Sequence, residues 1–299
     1  MKSSADFDAK RKLLRQKLSH REFFVAPGVY DMLAATVAND VGFDFVYGSG
    51  YWTIASAHGL PDAGIATYSH MVDRMRTIAG VSNGGLIADA DTGYGGLLNV
   101  HHTVRGYEDA GVIAIQLEDQ VFPKRCGHTR GKQVIGADEM AQKIQVAAQA
   151  RQNPDTVIIA RTDALAVEGF EAALKRAELY GRAGADVLFV EAVLNDAEMA
   201  AVCDRLELPV MINMADGGDT PIKDAKTLED IGYAFAIFPA ICSLHACAAI
   251  ETALKSLKET GTSLKSGLTM YDFQKITGLI GFDEIYALDE KWKNMKKPV

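Results

Sequence analysis

One join recurs four times along the chain. Val41-Gly42-Phe43-Asp44-Phe45-Val46, Ala110-Gly111-Val112-Ile113-Ala114-Ile115, Ala183-Gly184-Ala185-Asp186-Val187-Leu188 and Ile231-Gly232-Tyr233-Ala234-Phe235-Ala236 share one grammar. A helix stops at glycine, where a left-handed backbone carries no Cβ penalty, and a short apolar run follows within two residues. Helix, glycine turn, buried strand is the returning half of a βαβ unit. A chain built this way has to cover a parallel sheet with helices.

Counting apolar runs gives eight candidate strands: Phe23–Ala26, Phe43–Tyr47, Leu86–Asp89, Ala114–Glu118, Val157–Arg161, Val187–Glu191, Val210–Asn213 and Phe235–Phe238. Their continuous apolar character, without strict alternation, suits strands buried on both faces. Amphipathic segments separate them at 31–40, 69–80, 101–110, 138–151, 168–182, 196–206, 224–230 and 243–257. Asp138 reads as an N-cap of the fourth, and Glu168 as a negative charge opening the fifth. Eight strands alternating with eight helices predict a (β/α)₈ TIM barrel of the α/β class, and 299 residues fit it as a single domain. A doubly wound open sheet is the alternative, but no glycine-rich dinucleotide fingerprint follows the first strand. After a Gly/Ser break at Ser263–Gly267, residues 265–299 read as a helical tail that docks on its own barrel or on a neighbouring subunit.

Composition narrows the function. A net charge of −8 with no long basic run excludes a nucleic-acid partner. No apolar run approaches the ~18 residues of a membrane span, and Met1–His20 lacks the apolar core of a signal peptide. Four cysteines without a C-x-x-C pair fit a reducing, cytoplasmic setting.

Barrel chemistry sits at the carboxyl ends of the strands. Here those ends carry Gly48-Ser49-Gly50, Asp89-Ala90-Asp91, Glu118-Asp119, Arg161-Thr162-Asp163, Glu191 and Asn213. Six consecutive strands thus deliver polar groups to one rim. Asp89 and Asp91, two apart, fall on one side of an extended segment, and Glu118 joins them from the next strand. Carboxylates that close repel, and a cation is the natural compensation; all-oxygen ligands favour Mg²⁺, with Mn²⁺ as the alternative. The competing reading is a cluster neutralised by Arg161 and Lys124. His101 and His102 open a helix without partners at zinc spacing and read as surface residues.

The connection Val121–Ala137 exceeds the usual βα loop, and its glycines (Gly127, Gly131, Gly136) mark it as a candidate lid. It gathers Lys124, Arg125, Cys126, His128, Arg130 and Lys132. A cysteine among such charges titrates toward thiolate more readily than a buried one and serves as acid or base on a carbon. The other three cysteines, Cys203, Cys242 and Cys247, read as core filler.

These residues carry a resemblance. Tyr47-Gly48-Ser49-Gly50, Gly59-Leu60-Pro61-Asp62, Ala88-Asp89-Ala90-Asp91-Thr92-Gly93-Tyr94-Gly95, Leu117-Glu118-Asp119-Gln120, Lys124-Arg125-Cys126-Gly127-His128, Ala160-Arg161-Thr162-Asp163-Ala164 and Pro239 are similar to the isocitrate lyase/phosphoenolpyruvate mutase superfamily, over roughly residues 20 to 295. The resemblance implies an oxo-acid lyase: Mg²⁺-dependent retro-aldol cleavage of a small 2-hydroxy dicarboxylate to pyruvate and a carboxylic acid. Asp91 then looks like the direct metal ligand, with Asp62, Asp89 and Glu118 holding its waters. Ser49, Gly50 and Tyr51 match the keto-acid site, with Tyr47 beside them. Arg161, Glu191 and Asn213 match the rest of the pocket, and Cys126 matches the general acid. The stretch Asn213-Met214-Ala215-Asp216-Gly217-Gly218 departs from the Asn-x-Thr-Glu-Phe-Gly of 2-methylisocitrate lyases and is closer to the branch cleaving 2-alkylmalates such as 2,3-dimethylmalate. 2-Methylisocitrate is the alternative substrate. Oxaloacetate or phosphonate chemistry is disfavoured by the Cys-Gly-His loop, and a barrel kept only as an assembly subunit by the intact carboxylates. The resemblance also implies a homotetramer in which the tail from Met270, with Tyr271, Phe273, Ile276, Leu279 and Ile280, packs on a neighbouring barrel.

Overall fold

The computed structural model describes residues 3–127 and 131–295. Eight parallel strands close on themselves in sequence order: β1 Phe24–Val29, β2 Phe45–Gly48, β3 Gly85–Asp89, β4 Val112–Glu118, β5 Val157–Thr162, β6 Val187–Val190, β7 Val210–Asn213 and β8 Phe235–Phe238. The seam pairs Phe24 with Phe235 and Pro27 with Phe238. The expected (β/α)₈ barrel is therefore the fold. Gly42, Gly111, Gly184 and Gly232, the four glycines of the repeated join, have φ of 93°, 89°, 115° and 111°. Each sits where only glycine turns cheaply from helix into strand.

The helices in chain order are α1 Ser4–His20, α2 Met32–Val41, α3 Gly50–His58, α4 Tyr68–Val81, α5 Leu97–Asp109, α6 Ala137–Ala150, α7 Leu165–Glu168, α8 Phe170–Arg182, α9 Asp196–Arg205, α10 Ala225–Ile231, α11 Ile241–Thr260, α12 Phe273–Leu279 and α13 Phe282–Lys293. The apolar side chains form two clusters. One lies between the strands and the helix ring, where Met75, Ile78, Val104, Ile144, Leu174 and Tyr180 are buried. The other fills the barrel interior with Phe24, Phe45, Tyr47, Ile159, Phe189, Met211 and Phe235. Leu14 and Leu18 of α1 belong to this interior cluster, so α1 closes the end of the barrel opposite the strand carboxyl ends. Its Arg11 donates to Val112 O and Glu108 O, and its Arg15 to Thr156 O and to Asp186 at 2.6 Å. Those bonds satisfy carbonyls below β4 and β5.

Several sequence expectations need correction. Asp138 is not the N-cap of α6: Gly136 is, and Asp138 lies in the first turn, where its charge still faces the helix dipole. Glu168 ends α7 instead of opening a helix, and it pairs with Arg176. His101 and His102 do not open α5 but stand one turn inside it; they are surface residues as expected, with the His102 ring tilted against Tyr68 at 4.6 Å. Cys247 is exposed and is no core filler.

The chain divides into two compact units, Met1–Ser243 and Leu244–Val299. Within the second, Met270, Tyr271, Phe273, Ile285 and Trp292 are exposed. No helix among the described residues is long and apolar enough to cross a membrane.

Candidate active site

A cavity of about 270 Å³ opens at the carboxyl ends of the strands. Tyr47, Ser49, Tyr51, Asp62, Asp89, Cys126, Arg161, Glu191 and Asn213 line it. Asp91, Glu118 and Gly50 lie one contact behind: Asp91 against Lys124, Glu118 against Arg161, and Gly50 so close to Asp89 that a Cβ there would stand 2.8 Å from its Oδ2. Every residue expected at the site is thus in it or against it.

The carboxylates converge by a route the spacing did not suggest. Asp89 ends β3, but Asp91 is not extended; it has φ 49°, and its N–H donates to Asp89 Oδ1 at 3.0 Å. A left-handed turn aims its carboxylate at the Lys124 ammonium, 2.9 Å away, which also lies 2.6 Å from Asp62. Burial opposes the Lys124 charge, yet Asp91, Glu118 and Asp62 outweigh it and hold the ammonium well above its ordinary range. Burial also pushes the Asp91 carboxyl up to about 6, against the pull of Lys124, and drives Glu118 well above the usual carboxylate range. Among the described residues no three metal-ligating side chains stand at ligand spacing, so neutralisation by Lys124 and Arg161 is the arrangement seen. The donors nevertheless suit a hard cation. Asp91 Oδ2 and Glu118 Oε1 are buried carboxylate oxygens without a hydrogen-bond partner, a costly condition that bound Mg²⁺ and its waters would relieve.

Arg161, from the end of β5, is the hub of the opposite wall. It donates to Asp163 from Nε at 2.9 Å and from Nη2 at 3.0 Å, meets Glu191 at 3.1 Å and Glu118 at 3.4 Å, and lies over the Phe189 ring. Asn213 Nδ2 donates to Glu191 Oε2 at 3.3 Å. Beneath Asp163 runs a network that the sequence did not reveal. Asp119 Oδ1 accepts from Asp163 N–H at 2.9 Å, while its Oδ2 accepts from Thr162 Oγ1 at 2.7 Å, Tyr180 at 2.8 Å and Arg176 at 3.3 Å. Burial alone would raise Asp163, but Arg161 and Lys132 overcome it and hold the carboxyl down to about 2. In the barrel centre the Tyr47 hydroxyl donates to Gln116 Oε1 at 3.1 Å, and burial lifts that phenol far above its ordinary range, so it stays neutral.

The β4–α6 connection folds over the cavity. Gln120 braces it by donating to Arg125 O at 2.8 Å and accepting from Arg125 N–H at 3.0 Å. Gly127 lies against Arg161; a Cβ there would fall 2.2 Å from Nη2. His128 and Arg130 lie outside the described residues. Trp52, which meets Tyr51 edge-on at 4.7 Å, also lines the cavity and was missed; its only signal was adjacency to Tyr51 at the start of α3.

The model of the phosphoenolpyruvate phosphomutase family matches residues 14–258. The chain belongs to the phosphoenolpyruvate mutase/isocitrate lyase superfamily. Among the superfamily's curated members, 2,3-dimethylmalate lyase of Eubacterium barkeri is 39% identical over 93% of this chain and 96% of its own. A 2-methylisocitrate lyase of Bacillus subtilis is 40% identical over 92% and 91%. The crystal structure of a 2,3-dimethylmalate lyase superposes with a TM-score of 0.88 at 38% identity, covering 97% of this chain and 96% of that one. Phosphonopyruvate hydrolase, solved with oxalate and Mg²⁺, gives 0.86 at 27% identity over 95% and 99%. This superfamily member is a lyase; which substrate it takes is a matter of the pocket.

Proposed function

We propose that the chain is a Mg²⁺-dependent carbon–carbon lyase that cleaves a 2-alkylmalate such as 2,3-dimethylmalate to pyruvate and a carboxylic acid. The observation that carries this reading is the meeting, in one cavity, of unsatisfied buried carboxylates, the Arg161 hub and the Cys126 loop. Asp91 would ligate the ion and Asp62, Asp89 and Glu118 would hold its waters; bound there, it supplies Lewis-acid stabilisation of the substrate's C2 oxygen. Arg161 receives the C1 carboxylate or the C2 oxygen, and Ser49, Gly50 and Tyr51 hold the half that becomes pyruvate. The neutral Tyr47 hydroxyl fixes orientation by hydrogen bonding. The C2 hydroxyl proton passes to a basic group of the pocket, and the O–H electron pair becomes the keto C=O as C2–C3 breaks. The bonding pair goes to C3 as a carboxylate enolate, and the Cys126 thiol delivers its proton to that carbon and is left as thiolate. The loop laid over the cavity keeps bulk water from the carbanion.

The lining favours a dicarboxylate over the tricarboxylate 2-methylisocitrate. On the β7–β8 side it consists of Ala215, Gly217, Gly218, Ile237, Pro239 and Ala240, with Asp216 the charged residue there. Lys124 and Arg161 are the lining lysine and arginine among the described residues, and both are already paired. Among the described lining residues a third carboxylate would find no unpaired cation, whereas an alkyl group fits. Release of keto acid from a panel of 2,3-dimethylmalate, 2-methylisocitrate, isocitrate and oxaloacetate tests this. The dimethylmalate reaction should have the highest kcat/KM and should stop on addition of EDTA. Preference for 2-methylisocitrate, or turnover indifferent to chelation, would refute the reading.

A further inference from the structure

Two lysines pin the β4–α6 loop, and only one of the pins ends on carboxylates offered for the metal. Its stems are joined by backbone bonds, Val121 N–H to Gln133 O at 2.8 Å and Ile135 N–H to Asp119 O at 2.9 Å. Between those stems Lys124 reaches Asp62 and Asp91. Lys132 reaches elsewhere: its buried ammonium donates to Gly127 O and to Asp163 Oδ1 at 3.1 Å. The same Asp163 oxygen accepts from Arg161 Nη2 at 3.0 Å. We propose that Lys132 is the latch of this loop and that Asp163 is a positioning residue, tying the latched loop to the orientation of Arg161.

The physical case is one of shared charge. Asp163 is fully buried and faces two cations, one fixed on β5 and one carried by the loop. Its backbone N–H is held by Asp119, whose other oxygen is fixed by Thr162, Tyr180 and Arg176, so the acceptor itself does not move. When the loop lies down, Lys132 completes the site and Gly127 settles against Arg161. When it lifts, Asp163 keeps Arg161 but loses its second partner. A charge-assisted bond in a buried setting is strong enough to set the balance between these states. Among the described residues Lys132 touches none of those offered for the metal.

The test reads the loop through thiol chemistry, which needs no substrate. Cys126 lines the cavity under the loop, and Cys203 on α9 serves as a monitor of general loosening: it is half-buried, burial pushes its thiol up to about 12, and it labels slowly in the folded chain. Iodoacetamide labelling of each cysteine, resolved by peptide mass spectrometry, should be about tenfold or more faster at Cys126 in Lys132→Met than in the unaltered chain, because labelling follows the open population. Asp163→Asn should do the same, Lys132→Arg should restore slow labelling, and Cys203 should stay slow in all. The part that concerns turnover rests on the lyase reading: Asp163→Asn should lower kcat more than Lys132→Met does, since it also frees Arg161. Unchanged Cys126 labelling in both variants, or Cys203 accelerating in parallel, would overturn the latch. Failure of every substrate would overturn the lyase reading and leave the labelling result standing.

Discussion

Asp91 is held at φ 49° by a turn whose Thr92 carbonyl accepts from the buried Lys143 ammonium at 3.1 Å and whose Gly93 carbonyl accepts from Thr103. A left-handed aspartate costs energy, and this one is kept where it faces Asp62 and Lys124. Asp91→Ala is expected to abolish Mg²⁺-dependent keto-acid release while far-UV circular dichroism stays native, since Lys124 retains Asp62. Turnover close to that of the unaltered chain at saturating Mg²⁺ would remove Asp91 from the ligand set. Cys126→Ser replaces a thiol with a much weaker acid of nearly the same shape. Turnover should fall by roughly 10²–10⁴, the range typical of a general acid, with product binding retained. A loss of less than about threefold would mean that the proton comes from elsewhere. At this scale the sequence was informative where a residue's type implies its chemistry. It put Asp119 at a strand end but was silent on its bonds to Arg176 and Tyr180, because a buried network reads from sequence as unrelated charges on a strand end and a helix.

The elements were legible because the join that makes them is local. A glycine at each helix end and a run of β-branched and aromatic residues after it define β2, β4, β6 and β8 within two residues. Where no such local signal exists the reading fell short: α3 follows β2 directly, starting at Gly50 with Ser49 making no side-chain cap, so nothing in the pattern announced it. The seam between β1 and β8 is set by contacts far apart in sequence. A Cβ on Gly28 would stand 2.3 Å from Pro239 O, a backbone atom with little freedom to retreat. Gly28→Ala should therefore cost about 1–3 kcal/mol by overpacking. In a chain of this size that lowers the melting temperature by several degrees, at roughly 2–4 °C per kcal/mol. Because Pro239 lines the cavity, kcat/KM should fall in the same variant. An unchanged melting curve would show that the seam relaxes.

For the whole molecule, the barrel was readable and its closure was not. The placing of Leu14 and Leu18 of α1 inside the barrel depends on packing against residues as far away as Phe235, more than two hundred positions along the chain. The second unit exposes Tyr271, Phe273 and Ile280 at 47%, 75% and 51%, more apolar surface than a solvated helix pair tolerates. We propose that further copies of the chain cover it in a homotetramer. Light scattering at micromolar concentration should return the mass of four chains; the mass of one would refute this. The floor that α1 builds under the strands leaves the barrel with a single mouth, so both fragments of a cleaved substrate must exit in turn. In the proposed reaction the pyruvate half, held by Arg161 and the carboxylates, would leave last. Pyruvate should then inhibit competitively against the substrate, while the other acid, which rebinds only to enzyme still holding pyruvate, should inhibit noncompetitively.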